Sequence, residues 1–168
     1  SIDAFHRGRF SLVQPKSGGH RAGLDAMLLA ACVCGGFDGV VADLGAGAGA
    51  AGLAGLSRCP NASARLFEVS QPLIYFAART IALEDNDAFR DRISLHAGDI
   101  TANGETRVAN GLLPNSFDWV IANPPFNEET DRKSPHNERA FAHVMDAQTL
   151  DKWMRTAASI AKPSSYFS

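Results

Sequence analysis

Residues 40–52 constrain this chain more than any other stretch. Val40-Val41-Ala42-Asp43-Leu44 is a short apolar run rich in β-branched residues, the pattern of a parallel strand buried on both faces. It opens directly into Gly45-Ala46-Gly47-Ala48-Gly49-Ala50-Ala51-Gly52. Glycine at these positions lets the backbone turn sharply and come close to a ligand. A small apolar helix follows and runs to about Ser57, and Cys59-Pro60-Asn61 ends it. Strand, glycine turn and helix in that order open an α/β domain.

Two motifs share the glycines. Gly47, Gly49 and Gly52 have the G-x-G-x-x-G spacing of dinucleotide binders. Asp43, Gly45, Gly47 and Gly49 have the D-x-G-x-G-x-G spacing of S-adenosylmethionine binders. A pyrophosphate needs helix N-terminal amides and no carboxylate nearby. Asp43 at the strand end repels a pyrophosphate and tolerates a sulfonium and an ammonium. The charge argument favours the methyl donor, with a purely structural glycine turn as a third reading.

Further acids stand at further strand ends. Residues 64–69 read as a second strand, and Glu68 lies 19 residues after Gly49, where an acid in nucleoside-binding units takes ribose hydroxyls. A surface acid is the alternative. A helix over 71–84 with Pro72 in its first turn comes next. Ile93 and Leu95 alternate with polar residues as a third strand, and Gly98-Asp99 follows. Asp99 suits either an adenine amine or an ordinary turn. Residues 101–116 read as a loop. Ligands of such sheets bind at the carboxyl ends of the strands, where these side chains converge.

The fourth strand, Phe117–Ala122, runs into Asn123-Pro124-Pro125-Phe126. Neither proline has an N–H for a ladder, and the residue before each proline is held extended. The loop therefore presents acceptors, with Phe126 as a flat apolar plate after them. Two acceptors beside an aromatic ring suit a planar group carrying NH2, such as a nucleobase or a carboxamide. A proline-rich strand exit is the plain alternative. Residues 127–139 balance Arg132, Lys133 and Arg139 against four acids and form a candidate substrate lid or a solvated loop. Leu150, Trp153, Met154, Ala157 and Ala161 keep helical spacing and read as core, with Lys162-Pro163 ending that helix.

Residues 1–21 carry Arg7, Arg9, Lys16 and Arg21 with His6 and His20, interleaved with Phe5 and Phe10. That mixture suits phosphates and bases, or simply a solvated terminal arm. A helix over 24–34 carries Asp25 at its N-terminal end, a favoured place for a carboxylate. The 168 residues suffice for one domain, and a net charge of -2 excludes a generally basic nucleic-acid binder. No apolar run is long enough to span a membrane, so no membrane partner is expected. The three cysteines, Cys32, Cys34 and Cys59, are sparse and odd in number, which points to reduced thiols and a cytoplasmic protein. No cysteine–histidine cluster has zinc spacing, so no metal is expected.

With these residues in view, the chain resembles the class I S-adenosylmethionine-dependent methyltransferases. Residues 43–49 look like their first motif, Glu68 and Asp99 match the acids after their second and third strands, and Asn123-Pro124-Pro125-Phe126 looks like their amino-methylating motif. The lead-in, Gln14 through residues 23–30, is similar to that of the bacterial tRNA(Val) adenine-N6 methyltransferase family. The resemblance implies a Rossmann-like α/β fold with a mostly parallel sheet. It implies S-adenosylmethionine held by Asp25, Asp43, Gly45, Gly47, Gly49, Glu68, Asp99 and Asn123. Asn123, Pro124 and Phe126 would hold the target amine, most naturally an adenine in a tRNA; a glutamine amide or guanine N2 are alternative targets, and a non-catalytic cofactor-binding module is a further one. Oligomeric state is left open. The family's sheet has seven strands, and this chain stops where a fifth would be starting, so a single domain lacking its C-terminal strands is expected.

Overall fold

The computed structural model describes residues 1–16, 21–124 and 147–168. Strands β1 (Ile2–Phe5) and β2 (Phe10–Val13) form an antiparallel hairpin. Helix α1 (Leu24–Cys32), β3 (Val40–Leu44), α2 (Ala50–Leu56), β4 (Ser63–Glu68) and α3 (Gln71–Ile81) follow. A 3-10 segment (Glu84–Arg92) leads to β5 (Ile93–Ala97), α4 (Gly104–Ala109), β6 (Phe117–Ala122), α5 (Ala147–Ile160) and β7 (Ala161–Phe167). Among the described residues, five strands form one sheet in the order β5-β4-β3-β6-β7, every neighbouring pair parallel. This is the expected α/β architecture with a parallel sheet.

Residues 41–44 of the apolar run are buried because β3 is the central strand, paired on both sides. Helix α2 packs closely on it, and all seven of its residues, Ala50-Ala51-Gly52-Leu53-Ala54-Gly55-Leu56, are buried. Small side chains make that approach possible. A Cβ on Gly52 would stand 2.5 Å from Leu66 Cδ2 of β4. One cluster, including Leu53, Leu56, Leu66 and Ile121, fills the α1–α2 face. A second, including Leu44, Phe67, Phe117 and Ile160, fills the α5 face.

Three expectations change. Residues 1–13 are no solvated arm. All four residues of β2 are buried, and Phe10 and Leu12 are fully so, worth about 1.5–3 kcal/mol each. The outer edge of β2 is satisfied by side chains rather than by another strand: Ser11 N–H donates to Asn86 Oδ1 at 3.0 Å, and Val13 N–H to Thr80 Oγ1 at 2.9 Å. The basic residues expected to meet phosphates are partly engaged within the protein. His6 Nδ1 is hydrogen-bonded to Ser57 Oγ at 2.9 Å, and Arg21 pairs with Asp3. Second, the stretch read as a loop over 101–116 contains α4, capped by Asn103, whose side chain accepts from Thr106 N–H. Third, residues 161–167 form the fifth strand, with an irregularity opposite Phe117 and Trp119.

Candidate active site

Register brings the expected residues to one edge. Leu44 stands opposite Phe67 and Ala122, and Glu68 opposite Ala97. The glycine turn, Glu68, Gly98-Asp99 and Asn123 therefore leave the sheet at the same carboxyl edge. The chain adds β4 and β5 on one side of β3 and β6 on the other, so β3 and β6 flank the switch point where such sheets bind ligands.

The turn after β3 needs its glycines. Gly45, Gly47 and Gly49 have φ of +69°, +59° and +90°, values that L side chains rarely adopt. Gly45 and Ala46 donate their N–H groups to the Phe67 carbonyl, which ties the turn to β4. Gly49 caps α2 and is closely backed by Leu66. Gly47 differs: a Cβ built there meets nothing within 4 Å, so its outer side faces open space.

Glu68 organises this turn. Its Oε2 accepts the Gly47 N–H at 2.8 Å, and its Oε1 accepts from Val69 N–H and Ser70 N–H at 2.9 and 2.8 Å. The acid thus lies against the glycine turn. A carboxylate has about four acceptor sites. Three are in use, which leaves about one for a hydroxyl unless the Gly47 amide yields. Asp99 stands on the far side of Glu68, because Gly98 N–H donates to the Glu68 carbonyl. Its Oδ1 closes an Asx-turn on Thr101 N–H and Oγ1.

Asp43 is placed differently from a ligand contact. It is 2% exposed, beneath the turn, and its Oδ2 accepts the Gly52 N–H at 2.9 Å. Burial pushes its pKa up to about 7; the Gly52 hydrogen bond lowers it, and the nearby Glu68 charge raises it further. Asp43 braces the first turn of α2 from behind, so at neutral pH its charge is a weaker barrier to pyrophosphate than the sequence argument supposes.

Asn123 and Asp25 meet at the other side of β3. Asn123 Nδ2 donates to Asp25 Oδ2 at 2.5 Å. Asp25 lies in the first turn of α1, whose N-cap is Gly23. Pro124, next in the chain, is half-buried. Pro125, Phe126 and the lid candidates Arg132, Lys133 and Arg139 lie outside the described residues.

Sequence reasoning missed three residues beside these. Trp153 of α5, read as core, sets its indole against the glycine turn: a Cβ on Gly45 would stand 2.6 Å from Trp153 Cη2. Thr156, on the next turn, anchors α5 by donating to the Ile100 carbonyl at 2.7 Å. Val69, next to Glu68, is 60% exposed, an apolar side chain in solvent at the strand end. Its place inside an apolar run hid it. Among the described residues, no group of three or more His, Cys, Asp or Glu could hold a metal ion, and no helix is long and apolar enough to cross a membrane.

Residues 21–150 match the model of the methyltransferase small domain. The chain is also similar to the crystal structure of a predicted O-methyltransferase from Agrobacterium tumefaciens, at 38% identity and a TM-score of 0.65, over 82% of this chain and 56% of that one. A glycopeptide N-methyltransferase in complex with S-adenosylmethionine matches at 17% identity, TM-score 0.58, over 92% of this chain and 57% of its own. A mitomycin 7-O-methyltransferase matches at 19% identity, TM-score 0.55, over 84% and 33%. No match was found among curated proteins. The chain belongs to the methyltransferase small domain family. It spans about half the length of the Agrobacterium tumefaciens and glycopeptide methyltransferase chains.

The cofactor of this family is S-adenosylmethionine, which decides between the two readings of the glycine turn. The residues present fit it. Gly47 leaves open space in front of the turn, and Glu68 offers a carboxylate against that turn. The relatives named above methylate oxygen or nitrogen by their names, so the acceptor atom is a separate question.

Proposed function

We propose that this chain is the catalytic domain of an amino-methyltransferase, acting most naturally on the exocyclic amine of an adenine in tRNA. The observation that carries the reading is Asn123: it leaves β6 beside the glycine turn, with its NH2 already committed to Asp25, so that its oxygen is the group left to accept. An exocyclic amine is a weak nucleophile because its lone pair is delocalised into the ring. Asn123 Oδ1 and the Pro124 carbonyl accept its two hydrogens, draw the nitrogen toward tetrahedral geometry and aim its lone pair. Phe126 stacks on the base and fixes its plane. Bound S-adenosylmethionine supplies a methyl already activated on a sulfonium. Glu68, with Gly45, Gly47 and Gly49, holds the donor's adenosine and methionine parts, Val69 covers a face of its adenine, and Asp99 takes the adenine amine. Holding two reactants in line is worth about 7–11 kcal/mol of barrier. The target base must leave its stack, which costs least in a tRNA loop.

The same two acceptors fit a glutamine carboxamide or guanine N2, and these are outcomes of one experiment. The full chain is incubated with labelled S-adenosylmethionine and either total tRNA or a protein extract. Label recovered as N6-methyladenosine is the expected result. Label on glutamine or on guanine keeps the amino-methyl chemistry and changes the substrate; label on oxygen overturns it.

A further inference from the structure

Asp25 and Asn123 are 98 positions apart in sequence and joined by a 2.5 Å hydrogen bond. Its direction is fixed by chemistry. An ionised carboxylate can only accept, so Asn123 must turn its NH2 to Asp25, which settles an amide orientation otherwise open to a flip. The opposite face of the amide is then its oxygen. Asp25 is itself held. Its Oδ1 lies 3.0 Å from where a Cβ at position 23 would stand, so glycine at the N-cap makes room for the carboxylate to fold back over the start of α1.

The consequence is selectivity. The terminal torsion of asparagine is roughly two-fold, so an untethered amide presents oxygen or NH2 nearly alike. An NH2 face welcomes a carbonyl and repels an amine. We propose that Asp25 is a positioning residue that determines specificity: by taking the Nδ2–H, it commits Asn123 to act as an acceptor and selects a target bearing NH2 over one bearing a carbonyl. The inference rests on the amino-methyl reading of Asn123. It assigns Asp25 to the acceptor side of the site, whereas the sequence resemblance groups it with the donor.

The test uses the full chain. In 1H–15N spectra, the side-chain NH2 pair lost in Asn123→Asp belongs to Asn123. That pair shifts in Asp25→Ala and Asp25→Asn, while S-adenosylmethionine affinity by calorimetry stays within about two-fold. Methyl transfer is measured to whichever of total tRNA or protein extract the wild type labels. Asp25→Ala slows it about ten-fold, the worth of one fixed hydrogen bond. In an Asn123→Ala background the same change adds nothing, since Asp25 acts only through Asn123. Additive losses, an unmoved Asn123 signal, or a collapse of donor affinity in Asp25→Ala each overturn the inference. Wild-type rates in Asn123→Ala sink the amino-methyl reading itself, and label on neither extract sinks that reading together with the inference.

Discussion

The indole of Trp153 lies so close over Gly45 that a Cβ at position 45 would stand 2.6 Å from its Cη2. Gly45 therefore answers to packing inside the protein as well as to any ligand. Its φ of +69° adds a second reason. Gly45→Ala should cost roughly 1–3 kcal/mol through overpacking and about 1–2 kcal/mol more through left-handed backbone. Trp153→Phe in the same chain should return part of the first term and none of the second. Thermal melts of the four proteins in that cycle check it, and strict additivity would mean that the ring and the glycine do not meet.

Gly47 is the contrasting position. Its outer side is open, so a side chain there should leave the fold largely in place and intrude on the donor. Gly47→Ala should cost only about 1–2 kcal/mol of stability, from its φ of +59°, yet reduce S-adenosylmethionine affinity well beyond that. Calorimetry beside a melting curve separates the two. Wild-type affinity would remove the turn from the donor site. Glu68→Gln keeps the shape of the acid but loses charge-assisted acceptance from three backbone amides, so turn and affinity should weaken together, by roughly 1–3 kcal/mol.

Asp43 gives the domain a pH dependence with a definite sign. Its folded pKa is raised, from 3.8 to about 7, mainly by burial. The folded state thus keeps a proton that the unfolded chain has released. This contribution to stability is fully present below pH 3.8 and is lost as pH rises through about 7. The slope in that window is at most about 1.4 kcal/mol per pH unit. Asp43→Asn retains an acceptor for the Gly52 N–H and removes the titration, so the fall in stability between those pH values should flatten. Denaturant titrations at several pH values measure it, and equal slopes in both proteins would place the ionisation elsewhere.

Four strands of the sheet and the polar residues at their ends are legible because their causes are local. Residues 40–44 announce a buried strand, the glycines a turn, and each polar residue after an apolar run a strand end. The hairpin was not legible. Residues 10–13 are buried on every side without alternation, and their edge is closed by Asn86 and Thr80, side chains 67 to 75 positions away. Trp153 had the right helical spacing for a core residue, and spacing cannot say that the core it joins ends at a glycine turn. Asp25 reads as a helix-end carboxylate, but its partner lies on the far side of four strands in the chain order. Local pattern finds elements and their ends; pairing between ends is a product of the topology.

The proposed mechanism separates the chemistry of the proline loop from donor binding, and that separation can be measured. In it, Asn123 supplies the acceptor for an amine, while the donor is held by the glycine turn and Glu68 across β3. Asn123→Ala should therefore leave S-adenosylmethionine affinity within a few-fold and lower methyl transfer by orders of magnitude, since an oriented acceptor acts where charge develops. Asn123→Asp keeps an acceptor but sets a second carboxylate against Asp25, so it should retain only part of the rate. Phe126→Tyr keeps a stacking ring and should stay near wild type. Phe126→Ala should cost roughly 1–3 kcal/mol in base binding, seen in KM before kcat. The expected order of kcat/KM is wild type and Phe126→Tyr together, then Phe126→Ala, then Asn123→Ala. An Asn123→Ala protein that methylates at the wild-type rate would reduce the loop to a strand exit.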